Sequence, residues 1–109
     1  MIERRRSSRK SPNHPIEVNN AITGETIGHI GNLSVNGLML ITTKQMQDDA
    51  LFQLMFRLPG RDGHTHLLEI GVYKSWGRNA PSPGQYWAGF RIIDISAEDY
   101  NVLTDWVSG

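Results

Sequence analysis

The sequence predicts an all-β domain that ends in one helix. Short runs of β-branched and aromatic residues recur with turn signals every ten or so residues. Residues 96–109 change instead to the 3.6-residue period of a helix. The 109 residues make one ordinary domain, which can bury roughly 65% of the surface that its unfolded chain exposes. Together these patterns favour a small antiparallel barrel or sandwich followed by a helix.

Six segments have the pattern of strands. The first two alternate β-branched residues, at Ile16 and Val18 and then around Ile27 and Ile30, with TGE as the turn of a predicted hairpin. The other four predicted strands are GLMLITT, LFQLMFRL, HTHLLEIGVYKSWGRN and QYWAGFRIID. PGRDGH is a strong turn signal, and the loop APSPG separates the last two strands.

The helix is predicted over residues 96–107. Ser96 is a candidate N-cap, and Asp99 three residues later has the spacing of a capping box. The apolar side chains of this segment fall on one helical stripe, which contains Tyr100, Leu103 and Trp106 or Val107. We expect this stripe to lie against an open face or end of the sheet structure.

The net charge of zero hides two unequal parts of the chain. Residues 1–10 carry five basic groups and one acidic group, which leaves six basic and ten acidic groups from Ser11 onward. Proteins that bind long nucleic acids usually spread basic residues over a whole face, whereas this body would repel a polyanion. The basic segment ERRRSSRK, residues 3–10, therefore indicates a small anion rather than a nucleic-acid polymer.

The basic segment is joined to the body by SPNHP, residues 11–15. Its two prolines exclude a helix and favour extended geometry, so this stretch is predicted to be a hinge. We therefore divide the chain into a flexible, ligand-binding N-terminal arm and hinge, residues 1–14, and a β-domain with its C-terminal helix, residues 15–109.

Several classes of protein are excluded or disfavoured. The chain contains no cysteine, which excludes disulfides, iron–sulfur clusters, thiolate zinc sites and cysteine nucleophiles. No apolar run is long enough for a membrane span, and no apolar segment follows the arginines as in a secretory signal. We therefore expect a cytoplasmic protein without a membrane span.

Metal binding and catalysis are also disfavoured. His64 and His66 share a face of a predicted strand, but no third ligand of good spacing is evident except the distant Glu69. Glu98 and Asp99 belong to the helix start, and no general base accompanies Ser34. The sequence thus predicts a protein that is not an enzyme and has no metal site.

The stretch NLSVNG, residues 32–37, lies between two predicted strands. Asn32 and Ser34 are two residues apart in an extended segment and are predicted to point to the same side. Gly37 permits a positive φ or the close approach of a ligand to the backbone. These residue types are equally typical of a plain turn.

The two motifs together resemble a known family. Arg5 and Arg9 form an Arg-x3-Arg motif, and Asn32, Ser34 and Gly37 an Asn-x-Ser-x2-Gly motif. In this order, and with VYKSW and YWAGFRIIDIS as the last strands, the chain resembles PilZ domains over nearly its whole length. That family consists of receptors for the bacterial second messenger cyclic di-GMP, and it implies a six-stranded antiparallel barrel with a C-terminal helix.

The resemblance also implies the site. The ligand-binding residues carried over from the family are Arg4, Arg5, Arg6, Arg9, Asn32, Ser34, Gly37 and Trp76. Arginine suits this ligand because its fork can bond to phosphate or to guanine O6 and N7, and its plane can stack on a purine. Trp76 is either a stacking platform for a guanine or a buried packing aromatic. Ser7 and Ser8 depart from many relatives, which have an aromatic residue after the arginines.

The function that the resemblance implies is a cyclic di-GMP receptor or adaptor without a further cofactor. Binding would change the conformation of the arm and signal to a separate effector protein, because the chain leaves no room for an output domain. Two alternatives remain: a PilZ-like interaction domain that does not bind nucleotide, and a nucleic-acid binder that uses the basic arm.

Overall fold

The computed structural model describes residues 8–109, which form six strands and one helix. The elements are β1 (Glu17–Asn20), β2 (Thr26–Leu33), β3 (Gly37–Thr42), β4 (Leu51–Pro59), β5 (Thr65–Asn79), β6 (Tyr86–Asp94) and α1 (Ala97–Ser108). Every predicted strand is present within a few residues of its expected bounds. Within residues 8–109, no helix has the length and hydropathy to cross a bilayer.

The strands close into a barrel in the order β1-β2-β3-β6-β5-β4, and all neighbours are antiparallel. The first hairpin of the prediction is β1 and β2. The barrel closes where β1 meets β4, through the pairs Asn19–Met55 and Asn20–Leu54. This closure settles the choice between barrel and sandwich, and the six-stranded antiparallel barrel is confirmed.

Alternation along the strands separates a core from an outer surface. In β3, for example, Leu38, Leu40 and Thr42 are buried, whereas Met39 and Ile41, which alternate with them, are only partly covered. The buried apolar side chains of the strands are Val18, Ile30, Leu33, Leu38, Leu40, Leu54, Phe56, Leu58, Leu68, Ile70, Val72, Ala88 and Phe90, and Thr42 and Lys74 are buried with them. Since successive side chains point to opposite faces, the residues between them form the outside of the barrel.

Helix α1 covers one end of the barrel. The Ser96 hydroxyl accepts a hydrogen bond from the Asp99 backbone N–H at 3.0 Å, which confirms the predicted N-cap. Leu103 and Trp106 are buried in the core, as the stripe predicted.

Tyr100 does not belong to the packed stripe, and this part of the prediction is wrong. Its side chain is 42% exposed. At the first turn the helix meets β5 through Asp99 instead, whose carboxylate accepts a hydrogen bond from the Glu69 backbone N–H at 3.2 Å. The buried stripe therefore runs on the Asp99 side of the helix, through Leu103 and Trp106.

Two strand irregularities determine which residues reach the outer surface. The register shifts in β2 between Ile30 and Asn32 and in β5 between Lys74 and Trp76. Such a bulge adds one residue to a strand and so reverses the alternation beyond it. Without them, Asn32 would point inward like Ile30, and Trp76 would point inward like Lys74. The two bulges therefore bring Asn32 and Trp76 to the outside.

Candidate ligand-binding face

Ten of the outward-facing residues of β2, β3, β6 and β5 form one continuous surface, which we call the four-strand face and which ends before Asp94 of β6. It consists of His29, Asn32, Met39, Ile41, Tyr73, Trp76, Arg78, Trp87, Gly89 and Arg91. These residues face outward because the residues before and after them in each strand point into the barrel. Asn32 and Trp76 follow a bulge residue instead.

One row of this face joins two of the predicted site residues. Asn32 pairs with Met39, Met39 with Gly89, and Gly89 with Trp76. Three strand spacings separate the two ends of the row, which is about 14 Å. Between Asn32 and Trp76 the row contains a thioether side chain and a residue without a side chain. The middle of the row is therefore apolar and projects little from the barrel, while one end is the polar Asn32 and the other end is the aromatic Trp76.

The arm meets the barrel at the Asn32 end of this row. The Nη1 atom of Arg9 donates a hydrogen bond to Oδ1 of Asn32 at 2.7 Å. The following residue, Lys10, exchanges two backbone hydrogen bonds with Leu33, at 2.9 and 3.0 Å. The structure thus brings together one residue from each of the two motifs, 23 positions apart in the chain.

Trp76 stands at the other end of the row and is not a core residue. It is 38% exposed, and its indole lies against Gly89, where an added Cβ would come within 2.0 Å of the indole Nε1. The guanidinium carbon of Arg78 lies 4.9 Å from the centre of its ring system. Of the two interpretations of this tryptophan, the buried packing aromatic is therefore wrong.

The four-strand face is basic although the body of the chain is acidic. None of its ten residues is acidic, and it carries Arg78, Arg91 and His29. The net charge of the segment, from which the body was predicted to repel a polyanion, does not show how its charges are distributed. Arg9 adds a further positive charge at the C-terminal end of β2, where it bonds to Asn32.

Tyr73 connects the basic face to an acidic loop. The guanidinium carbon of Arg91 lies 5.2 Å from the centre of the Tyr73 ring, and the Tyr73 hydroxyl donates a hydrogen bond to Asp49 at 2.6 Å. This hydrogen bond raises the pKa of Tyr73 above its ordinary value. Tyr73 therefore remains a neutral donor at physiological pH.

Ser34 is not exposed beside Asn32, and the prediction that both point to one side is wrong. Strand β2 ends at Leu33, and Ser34 turns inward, where only 2% of its surface is exposed. Its hydroxyl donates to the Gly37 carbonyl at 3.2 Å and accepts from the Gly37 N–H at 3.1 Å. These contacts give Ser34 a role in shaping the loop, and a direct ligand contact stays a prediction.

Gly37 is required by the neighbouring strand rather than by a positive φ. The residues with positive φ are elsewhere, at Gly24, Asp49, Gly63 and Gly84 in the described part of the chain. Gly37 is the first residue of β3, and a Cβ there would lie 2.4 Å from the backbone oxygen of Phe90 on β6. The predicted close approach exists, but it is made by the protein's own backbone.

We expect Gly37→Ala to lower the free energy of unfolding by about 1 to 3 kcal/mol, because backbone atoms of β6 must shift. Gly31→Ala is the matched control, since its Cβ would meet the end of the flexible Met39 side chain at 2.5 Å. Urea unfolding of both variants without ligand measures the difference. Equal stability of Gly37→Ala and the wild type would contradict this role.

The sequence prediction missed Arg78 and Arg91 as members of the candidate site. Arg78 could have been found from the alternation in β5, because it is two residues from Trp76, whereas Arg91 joins the site only through the register of β5 with β6. Arg4, Arg5 and Arg6 lie outside the described residues, so their roles stay predictions.

The histidines form no metal site in the described part of the chain. His66 Nε2 lies 3.1 Å from Asp62 Oδ1, and His64 Nδ1 lies 3.6 Å from Asp62 Oδ2. The His64 backbone N–H and the His66 side chain both bond to Asp62 and hold its pKa below the ordinary value. Across residues 8–109, no group of three metal-ligating side chains converges.

Comparisons with solved structures show where this fold recurs. The inhibitor of motility MotI/DgrA of Bacillus subtilis superimposes with a TM-score of 0.76 at 20% identity, over 98% of this chain and 50% of that chain. YcgR of Escherichia coli, in complex with c-di-GMP, gives 0.69 at 18% identity, over 94% and 44%. The chain therefore spans about half the length of these two proteins. The PilZ domain of CeSA from a cellulose-synthesizing bacterium gives 0.63 at 18% identity, over 94% and 97%.

The sequence itself gives the family. No curated protein matches it, but the PilZ domain family matches residues 3–109. This match includes both motifs, all six strands and the helix. The chain belongs to the PilZ domain family.

Proposed function

We propose that this protein is a receptor for cyclic di-GMP that binds the nucleotide on the four-strand face, changes the conformation of its N-terminal arm and signals to a separate effector protein. The observation that carries the proposal is the 2.7 Å hydrogen bond between Arg9 and Asn32, at one end of the row that leads to Trp76. Family membership supports it, as does the YcgR relative, which was solved with c-di-GMP bound.

The chemistry of the face fits this ligand. Cyclic di-GMP has two phosphates and two guanines, so it needs cations beside flat apolar surfaces. Arg9, Arg78 and Arg91 supply planar cations that can bond to phosphate or to the guanine edge. Trp76 supplies a half-exposed aromatic ring for stacking, which is worth about 1 to 3 kcal/mol per base.

The hydrogen bond between Arg9 and Asn32 leaves most of the guanidinium available. A guanidinium has several N–H donors, and Asn32 accepts one of them. Asn32 would therefore hold the Arg9 guanidinium in one orientation, and the remaining N–H groups of that guanidinium would bond to the ligand. Such preorganisation lowers the entropy lost on binding. In this proposal Asn32 also addresses the polar edge of a guanine, and Arg5 acts together with Arg9.

The arm is the element that we propose to change on binding. Ordering each arm residue costs about 1 to 2 kcal/mol of backbone entropy, and charge-assisted hydrogen bonds of about 1.5 to 3 kcal/mol each can offset it. The arm is already attached at its root, where Lys10 pairs with Leu33 and its Nζ donates to the Trp106 carbonyl at 2.8 Å. We propose that the ligand orders residues beyond this root, and that the covered face is what the effector recognises.

Amide hydrogen exchange tests this ordering. We expect slower exchange in residues 4–9 when cyclic di-GMP is added, because the arginines become held against the barrel, and little change at Lys10, which is already paired. Unchanged exchange in residues 4–9 at saturating ligand would contradict the proposed change of the arm.

Calorimetric titration with cyclic di-GMP tests the receptor function itself. We expect binding at micromolar concentrations or tighter, strong weakening by Arg5→Ala and by Arg9→Ala, and no competition by a random DNA duplex at physiological salt. Absence of binding would favour an interaction domain that does not bind nucleotide. Tighter binding of single-stranded RNA than of cyclic di-GMP would favour the nucleic-acid binder.

A further inference from the structure

Lys74 is a buried lysine next to the candidate site. It lies in β5, points into the barrel and is 4% exposed. Its ammonium donates to the Met46 carbonyl at 2.6 Å and forms a short ion pair with the Asp48 carboxylate. Both partners belong to the segment between β3 and β4, residues 43–50, which we call the β3–β4 loop.

The stability of the fold does not by itself explain why a charged side chain is buried at position 74. Removing an ammonium from water carries a large desolvation penalty, and replacing a buried ion pair by apolar side chains is often neutral or stabilising. The carboxylate of Asp48 is 70% exposed, so water also weakens its attraction for the ammonium. A geometric role is therefore the better explanation of the buried charge of Lys74.

Lys74 flanks the bulge that turns Trp76 outward. In a regular strand, residues two positions apart point to the same face. Lys74 points inward and Trp76 outward only because the register shifts between them. The bulge therefore requires that Lys74 stay inside the barrel while Trp76 lies on the four-strand face.

The β3–β4 loop fixes Lys74 by its backbone as well as its side chain. The Lys74 N–H donates to the Ala50 carbonyl at 2.9 Å, and the Lys74 carbonyl accepts from the Asp49 N–H at 3.2 Å. With the two bonds of the ammonium, four hydrogen bonds connect this one residue to the loop.

Two glycines provide the space for the two side chains. A Cβ at Gly77 would lie 2.8 Å from the Lys74 Nζ, and a Cβ at Gly89 would lie 2.0 Å from the Trp76 Nε1. Gly77 pairs with Ala88 on the inner side of the same two strands, and Gly89 pairs with Trp76 on the outer side. The inward lysine and the outward tryptophan are thus each seated against a glycine.

We infer that Lys74 is a positioning residue for the ligand-binding face: its ammonium, held by Met46 and Asp48, fixes the β5 bulge that turns Trp76 outward. The effect on nucleotide binding rests on the proposed function, whereas the effect on Trp76 does not. The β3–β4 loop is then part of the support of the site, although none of its residues belongs to the four-strand face.

Lys74→Met is the test, because methionine keeps an apolar chain of similar length but has no charge and no N–H donors. We expect the variant to fold, with the indole N–H resonance of Trp76 shifted or broadened in NMR spectra recorded without ligand. Cyclic di-GMP should bind about 5- to 20-fold more weakly, within the range for losing part of one stacking contact. Trp76→Phe identifies the resonance among those of the three tryptophans.

Lys44→Met is the matched control, since Lys44 lies in the same loop but is exposed and pairs with Glu25 at 3.0 Å. It should leave both the Trp76 resonance and the affinity unchanged. If Lys74→Met does not fold, Asp48→Ala removes the exposed partner instead and is measured in the same way.

An unchanged Trp76 resonance and unchanged affinity in the folded variant would overturn the inference. Wild-type protein that binds no cyclic di-GMP would overturn the proposed function, and the Trp76 resonance would still decide the role of Lys74. The two failures are therefore distinguishable.

Discussion

Arg9→Ala is expected to weaken cyclic di-GMP binding by about 10- to 150-fold, which corresponds to the loss of one charge-assisted hydrogen bond of about 1.5 to 3 kcal/mol. The physical reason is the position of Arg9, whose guanidinium is held by Asn32 at the start of the row across the four-strand face. Isothermal titration calorimetry at constant salt measures the change. The free protein should keep its stability, because the bond to Asn32 is exposed.

Two further variants separate geometry from charge. Arg9→Lys keeps the charge but not the planar fork, so it should lose most of the same affinity. Arg57→Ala removes one positive charge from an exposed position of β4, which is outside the four-strand face, and should bind like the wild type. Equal weakening by Arg57→Ala and Arg9→Ala would show that only the net charge matters and would contradict the proposed contact.

Trp76→Ala is expected to weaken binding by about 5- to 150-fold, because a base stacked on an aromatic side chain contributes about 1 to 3 kcal/mol. Trp76→Phe should weaken binding less, since it keeps an aromatic surface. The same calorimetric titration measures both variants, and quenching of tryptophan fluorescence by the ligand should decrease in both.

Gly89→Ala tests the same contact while it keeps the tryptophan. The new Cβ would come within 2.0 Å of the indole nitrogen, so the ring must leave its place on β6. Tyr100→Ala is the control for removal of an exposed aromatic ring, because Tyr100 lies on α1, outside the four-strand face. Wild-type affinity in both Trp76→Ala and Gly89→Ala would contradict a stacking role for Trp76.

The sequence was sufficient to predict the elements of the fold. Alternation identified the first two strands, short apolar runs bounded by turn signals identified the other four, and the Ser96 cap and the change of period identified the helix. Alternation did not decide between barrel and sandwich, since both bury one face of each strand. The pairing of β1 with β4 closes the barrel. It joins two short stretches that are far apart in the chain, for example at Asn19 and Met55, so no local pattern predicts it.

The bulges explain most of what the sequence could not predict about the site. A glycine inside a strand, such as Gly31, can mark either a bulge or a close backbone approach, and Ser75 gives no such signal, so alternation did not predict the outward direction of Asn32 and Trp76. The inward turn of Ser34 follows from the end of β2 at Leu33, and the need for glycine at position 37 follows from β6. Both depend on neighbours that are distant in sequence.

The charge of the four-strand face could be predicted only in part, for a related reason. Ten acidic and six basic groups lie from Ser11 onward, and their sum suggested only that the body would repel a polyanion. Which side of a barrel a charge occupies depends on strand direction and register. Once the register is known, Arg78 and Arg91 lie on the face of Trp76, and Asp48 and Asp49 lie in the β3–β4 loop.

An NMR titration of the isotope-labelled protein with cyclic di-GMP locates the binding site directly. We expect amide shifts to be concentrated along the row of Asn32, Met39, Gly89 and Trp76, together with the Trp76 indole N–H. The opposite side of the barrel, around Met55 and Arg57, should remain unchanged. Shifts confined to that opposite side, or no shifts at saturating nucleotide, would contradict a ligand site on the four-strand face.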